Sequence, residues 1–160
     1  MEEIYKEYSK IVYNYLLYFT SNPDIAEELM QETFYSAVKN IHKFKNQSSM
    51  KTWLCKIAKN KWIDYYKKAS NLNETNIDNI NEEFFSTTSV EENILNKEEL
   101  LEIYKKIHRL DENSREVVYL KMRTSFSFNE IADIMGKTEN WARVTFYRAK
   151  LKLMEDFKNE

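Results

Sequence analysis

The amino-acid sequence predicts an all-α protein: two small helical domains joined by a flexible linker. Glycine and proline occur once each in 160 residues, far too few for a fold built on tight turns and strands. Lys, Glu, Asn and Leu are abundant instead, which suits helices joined by short polar connections. Apolar residues recur at helical spacing in two blocks, residues 1–68 and 97–160, and lose that period in residues 69–96.

In the first block, Ile4, Tyr8, Ile11, Val12, Tyr15 and Leu16 mark one helix. A second opens with Asn22 as N-cap and Pro23 at the first helical position, where its missing N–H costs nothing. Its predicted buried stripe is Ile25, Leu29, Phe34, Val38 and Ile41, and its other face carries Asp24, Glu27, Glu28, Gln31 and Glu32. A polar loop, Lys45, Asn46, Gln47, Ser48 and Ser49, leads into a third helix from about Met50 to Lys68.

Residues 69–96 read as an acidic polar linker, rich in Asn, Ser, Thr and Glu. Its scattered apolar residues (Leu72, Ile77, Ile80, Phe84, Phe85, Val90) are available for docking on a domain or a partner. Treated as a random coil, such a tether has an end-to-end distance of roughly 30 Å.

In the second block, Leu100, Leu101, Tyr104 and Ile107 are the expected inward residues of a helix over 97–109. Asp111 is the expected N-cap of the next, which buries Val117, Val118 and Leu120. Ser127 and Glu130 have the capping-box spacing at the start of a helix through Met135. Thr138 caps the last helix after a turn at Gly136 and Lys137.

Net charge is −2, but it is unevenly distributed. Residues 1–68 carry 11 Lys and 8 acids, residues 69–96 carry 6 acids and no Lys or Arg, and residues 97–160 carry 13 basic residues and 12 acids. With so little net positive charge, DNA binding by the free chain is expected to be weak, because non-specific affinity comes mostly from neutralised phosphates. No run is long and apolar enough for a membrane span, and Met1-Glu2-Glu3 opens no secretory signal, so the expected location is cytoplasmic, without membrane insertion. A single cysteine, Cys55, excludes an intrachain disulfide and a multi-cysteine zinc site, and is expected to be a small core or surface residue, not a nucleophile.

The segment from Phe128 to Val144 fits a helix-turn-helix. Ala132 supplies the small residue where two steeply crossing helices approach, and Gly136 a residue able to take positive φ in the turn. Ile131, Ile134, Met135 and Val144 fill the wedge. The second helix then presents Glu139, Asn140, Arg143 and Tyr147 outward near the end that enters a major groove, where Arg and Asn can read guanine and adenine edges. An ordinary helical hairpin with a solvated polar face has the same pattern.

Taken together, three segments carry a resemblance. Asp24-Ile-Ala-Glu-Glu-Leu-Met-Gln-Glu-Thr-Phe34, Phe44, and Thr52-Trp-Leu-Cys-Lys-Ile-Ala-Lys-Asn-Lys-Trp-Ile-Asp64 resemble region 2 of the extracytoplasmic-function (ECF) sigma factors, members of the sigma-70 family. The run from Leu110 through Arg115-Glu-Val-Val, Glu130-Ile-Ala, Gly136 and Tyr147-Arg-Ala-Lys150 resembles region 4. The recognition helix Glu139-Asn-Trp-Ala-Arg-Val-Thr-Phe-Tyr-Arg-Ala-Lys150 is similar to those of low-GC Gram-positive bacteria.

The resemblance implies a transcription-initiation factor: region 2 in residues 1–68, the linker in 69–96, region 4 in 97–160. It implies core RNA polymerase and promoter DNA as partners, with an anti-sigma factor as regulator and no cofactor. Asp24, Glu27, Glu28, Gln31 and Glu32 match the polymerase-binding face, although their spacing alone favours a solvated acidic face. Lys45, Asn46, Gln47, Ser48 and Ser49 match the loop that captures a flipped base of the minus-ten element, with the family's usual Phe-Arg-Gly replaced by Phe44-Lys45-Asn46. Lys56, Lys59, Asn60, Lys61 and Trp62 match the strand-melting helix, where cations track a backbone and aromatic surfaces receive unstacked bases. Trp53, Leu54, Ile57 and Ala58 are assigned to the core; Trp62, Tyr65 and Tyr66 cannot all face inward, so at least one is available to DNA or polymerase. Asn60 and Asp64 suit a structural hydrogen bond just as well. Thr138, Glu139, Asn140, Arg143, Tyr147 and Arg148 match the helix that reads the minus-thirty-five element.

A catalytic role has little support. His42 and His108 sit in different blocks without metal-ligand or triad spacing, and a single glycine permits no glycine-rich phosphate loop. Two other classes stay open: a helix-turn-helix regulator that binds duplex DNA alone, and a helical adaptor that binds no DNA.

Overall fold

The computed structural model describes residues 1–71 and 97–159. All regular structure among them is helical: α1 (Glu2–Thr20), α2 (Pro23–Asn40), a 3-10 turn (Ile41–Lys43) and α3 (Met50–Asn71), then α4 (Lys97–His108), α5 (Glu112–Arg123), α6 (Phe128–Met135) and α7 (Glu139–Lys158). The chain divides into two compact units, one holding α1 to α3 and the other α4 to α7.

In the first unit the three helices pack on one another. The side chain of Asn22 accepts from the N–H groups of Asp24 (3.0 Å) and Ile25 (3.2 Å), so α2 starts at Pro23 as its sequence requires. The inner face of α1 is Val12, Tyr15, Leu16 and Leu17; Ile4, Tyr8 and Ile11 are only half-buried. The expected stripe of α2 needs correction. Leu29 and Phe34 are buried and Ile25 half-buried, but Val38 and Ile41 are 49% and 38% exposed. The face α2 turns inward is Ala26, Leu29, Met30, Thr33, Phe34 and Ala37. Packed between two neighbours, α2 needs small side chains where backbones come close, and Ala26, Thr33 and Ala37 supply them. The buried Thr33 hydroxyl donates to the Leu29 carbonyl at 2.7 Å, which removes the cost of hiding it.

On α3, Thr52, Leu54, Cys55 and Ala58 are buried, while Trp53 and Ile57 are half-buried. This helix continues to Asn71, so Ala69, Ser70 and Asn71 belong to it and not to the linker. No glycine or proline stands there to stop it. The rest of the expected linker, residues 72–96, lies outside the described residues.

In the second unit, Asp111 accepts from Ser114 N–H at 3.1 Å and starts α5. Ser127 and Glu130 complete a capping box, with both bonds present at 3.1 and 2.8 Å. The core takes Val117, Val118 and Leu120 from α5, Ile131, Ala132 and Ile134 from α6, and Ala142 and Ala149 from α7. Leu110 and Phe126, from the connections flanking α5, are buried with them.

The expected inward face of α4 also needs correction. Leu101 is 36% exposed, Tyr104 and Ile107 are half-buried, and the most buried described residue of the helix is Lys106, only 1% exposed. Its ammonium reaches the Asp156 carbonyl at 3.4 Å and lies 3.5 Å from the Phe157 ring centroid. A buried cation is tolerable there because the last turn of α7 offers carbonyl groups and the negative end of a helix dipole.

Gly136 ends α6 at φ +65°, and the following N–H, of Lys137, bonds to Ala132 O at 2.9 Å. A Cβ placed on Gly136 would meet nothing within 4 Å, so backbone conformation alone selects glycine here. Gly136→Ala should destabilise the unit by about 1 kcal/mol, and Gly136→Asn by less, because asparagine tolerates the left-handed region. Hydrogen exchange of the α6 and α7 amides would read this order, and equal protection in all three proteins would refute it.

At the α4–α5 corner, Arg115 Nη1 lies 3.3 Å from His108 Nδ1, and Nη2 donates to Leu110 O at 3.4 Å. Burial, then the Arg115 charge, hold the His108 pKa below its ordinary 6.5. A depressed folded-state pKa means that the unfolded chain takes the proton first. The stability is therefore present above pH 6.5 and lost as pH falls through the folded pKa. His108→Gln should flatten the fall in melting temperature below pH 6.5, and an unchanged pH slope would place that fall on other groups.

Candidate polymerase and nucleic-acid interfaces

Since α2 buries the Ala26 to Ala37 face, its helical period turns Asp24, Glu27, Glu28, Gln31 and Glu32 outward, and all five are exposed. The same outward row continues through Tyr35 and Val38 to Ile41 in the 3-10 turn, all exposed, with Lys39 Nζ 4.6 Å from the Tyr35 ring centroid. Sequence reasoning missed this apolar continuation because it placed Val38 and Ile41 in the core; the spacing Glu28, Gln31, Tyr35, Val38 was the available signal. Glu32 also forms an ion pair at 3.7 Å with Lys61 of α3. Two residues expected at different interfaces are thus neighbours.

The loop after the 3-10 turn is fixed at both ends. Phe44 packs on Trp53 with centroids 5.2 Å apart. Ser49 caps α3, its Oγ accepting from Thr52 N–H at 3.1 Å and meeting Thr52 Oγ1 at 2.8 Å. Between these anchors Lys45, Asn46 and Gln47 are exposed and Ser48 half-buried. Asn46 has φ +55°, in the left-handed region that favours glycine. Asparagine is among the few other residues that adopt it readily, so the loop turns there without a glycine. Ser49, expected to face DNA, spends its hydroxyl on helix capping.

Along α3, Asn60 is exposed and Lys56, Lys59, Lys61 and Trp62 are half-buried. Trp62 stacks on Phe19 of α1 (5.7 Å, 15°) and lies 6.0 Å from Tyr65 and 5.6 Å from Tyr66. One face of the indole is therefore committed to packing, and Tyr66 is the ring of this cluster that is exposed. Asn60 and Asp64, both exposed, form no side-chain hydrogen bond with each other.

In the second unit, Thr138 Oγ1 accepts from Trp141 N–H at 3.1 Å and opens α7. Thr138, Glu139, Asn140, Arg143, Tyr147 and Arg148 are all exposed. Arg143 Nη2 donates to Glu139 Oε1 at 3.0 Å, and its guanidinium carbon is 5.5 Å from the Phe128 ring centroid. Lys121 Nζ lies 4.4 Å from the centroid of the same ring, and Tyr147 is 6.1 Å from it. Lys137 Nζ is 5.5 Å from the Trp141 ring. Lys121, Phe128 and Lys137 thus extend the expected set into a basic and aromatic cluster around the start of α7. Lys137, in the turn of the motif itself, was legible as a neighbour; Lys121, on α5, becomes one only through folding.

Among the described residues no helix is long and apolar enough to cross a membrane.

Residues 4–71 match the Sigma-70 region 2 family, and residues 100–153 match the Sigma-70, region 4 family. The ECF RNA polymerase sigma factor SigM of Bacillus subtilis (strain 168) is 31% identical, over 96% of this chain and 92% of its own length. The RNA polymerase sigma factor YlaC of the same organism is 29% identical, over 98% and 91%. Among solved structures, the sigma factor RpoE in complex with the anti-sigma factor NepR, from Bartonella quintana, has a similar fold, with a TM-score of 0.73 and 21% identity over 98% of this chain and 96% of that one. With both regions matched in order, and an ECF relative 31% identical over 96% of the chain, the chain belongs to the ECF group of the sigma-70 family of RNA polymerase sigma factors.

Proposed function

We propose that this sigma factor binds core RNA polymerase through the outer face of α2, opens the minus-ten element with the 44–49 loop and α3, and reads the minus-thirty-five element with the start of α7. The observation that carries this reading is the helix-turn-helix of α6 and α7. Capped at both starts and turned at Gly136, it leaves Glu139, Asn140, Arg143, Tyr147 and Arg148 exposed where a recognition helix meets a major groove. The chain performs no chemistry of its own; the polymerase does, and this chain sets where it starts. It acts in the cytoplasm, and an anti-sigma factor that covers its binding faces would hold it inactive.

The division of labour follows from charge. Net charge of −2 gives the free chain little affinity for phosphates. Polymerase supplies the affinity and this chain the choice of sequence. In vitro transcription with core polymerase separates this reading from a stand-alone duplex regulator, which would bind its site without core and give no start-site selection.

Glu28→Lys combined with Gln31→Ala should weaken core association several-fold in a competition assay, with little change in melting temperature because both residues are exposed. Unchanged affinity for core would remove this face from the interface.

An initiation factor must hold a base outside the stack, and extrusion costs a few kcal/mol that a pocket has to return. Gln47→Ala and Asn46→Ala should therefore impair transcription from a duplex promoter more than from one pre-melted at the minus-ten element, with core binding intact. Asn46→Gly separates the side chain from the backbone, since glycine keeps φ +55° available. Abortive transcription on both templates, with a fluorescent base analogue at the minus-ten site, reads the outcome; equal defects with normal unstacking would exclude the loop from opening.

A further inference from the structure

The first two turns of α7 carry an acid and a cation that the fold holds together. Glu139 is its first residue and Arg143 lies one turn on, on the same face. Their side chains, 51% and 47% exposed, are joined at 3.0 Å. The guanidinium is also steadied by the Phe128 ring of α6 at 5.5 Å, and Thr138 fixes the backbone from which Glu139 projects. An exposed ion pair contributes little to stability, so its consequence lies in what the pair offers a groove: a row of donors from Arg143 followed directly by an acceptor from Glu139.

We propose that Glu139 and Arg143 read one G·C pair as a unit. The major-groove edge of that pair presents guanine N7 and O6, both acceptors, and then the cytosine N4 amino donor. Arg143 donates to N7 and O6. A remaining guanidinium N–H keeps its bond to Glu139, whose carboxylate accepts from cytosine N4. The two rows are complementary group for group. An A·T pair in the same orientation sets thymine O4 against the carboxylate, acceptor against acceptor. Glu139 therefore acts mainly by rejection: arginine favours guanine, and the carboxylate penalises thymine on the partner strand. The ion pair does not have to break on binding, so the guanidinium keeps its orientation from free chain to complex.

This inference rests on the assignment of α7 to the upstream promoter element. Its test uses polymerase holoenzyme reconstituted with each variant and duplex promoters randomised across that element, with the minus-ten element held constant. The natural chain should enrich G·C at one position. Glu139→Gln should lower the preference for G·C over A·T there by about tenfold, because a glutamine amide can donate to thymine O4. Replacing that guanine with 7-deazaguanine should weaken the natural chain but not Arg143→Ala, which identifies the same pair as the arginine's. Glu139→Asp keeps the charge but shortens the reach, and should behave as Glu139→Gln does. If Glu139→Gln binds every sequence more tightly by one common factor, with the G·C preference intact, Glu139 is only a brake on Arg143 and the proposal is wrong. If the natural chain enriches no upstream pair and Arg143→Ala transcribes normally, the assignment of α7 fails, and the proposal with it.

Discussion

A helix can begin only where the N–H groups of its first turn find acceptors. In a chain with one glycine and one proline, that requirement does most of the work of placing structure. Asn22, Ser49, Asp111, Ser127 and Thr138 each accept from the first turn of a helix. Such caps contribute about 1 kcal/mol each, yet their positional effect is larger than their energy. Asn22 starts the helix whose outer face is acidic, Ser49 closes the polar loop, and Thr138 starts the helix that exposes Glu139, Asn140 and Arg143. A cap moved by one residue would add or remove a residue at the start of the helix and so change where the preceding loop ends.

Much of this logic is legible in the sequence, because capping and hydrophobic period are local. Asn22-Pro23, Asp111, Ser127 with Glu130, Gly136 and Thr138 all stand where local chemistry puts them. What depends on partners distant in sequence was hidden. Val38 and Ile41 are apolar and in phase with a stripe, but only the packing of α2 between two helices shows that Ala26, Thr33 and Ala37 hold the inner positions. Lys106 looks like a surface lysine until the last turn of α7, fifty residues away, supplies a carbonyl for it. Of the candidate sites, the residue types and their exposure on α2 and α7 were legible, whereas the pairings were not: Glu32 with Lys61, Ser49 with its own helix, Trp62 with Phe19, and Arg143 with Phe128.

Those pairings bear on how a weakly charged chain handles DNA. Lys61 faces Glu32 and Arg143 faces Glu139, so a cation on each proposed DNA surface already has an acidic partner. An exposed pair of this kind contributes little to stability, typically below about 1 kcal/mol. It does lower the local potential that would draw the free chain to any duplex. Under the proposed function, affinity is thereby left to the polymerase.

Backbone strain adds a last constraint on the loop over residues 44–49. Among the described residues four have positive φ: Ser21, Asn46, Ser125 and Gly136. Only one is glycine, so the other turns accept some conformational cost. That cost is smallest at Asn46, since asparagine enters the left-handed region more readily than serine. There the change from the family's glycine also carries a chemical consequence. Glycine would provide the turn and nothing else, while asparagine keeps the turn and adds an amide that both donates and accepts. It also has fewer backbone states to lose than glycine, so the loop is ordered at lower entropic cost. The Phe44–Trp53 contact and the Ser49 cap hold the two ends of the loop. The side chain that replaces glycine therefore occupies a defined position, next to the exposed Lys45 and Gln47, where an unstacked base would need both a partner for its edge and a cation near its phosphate.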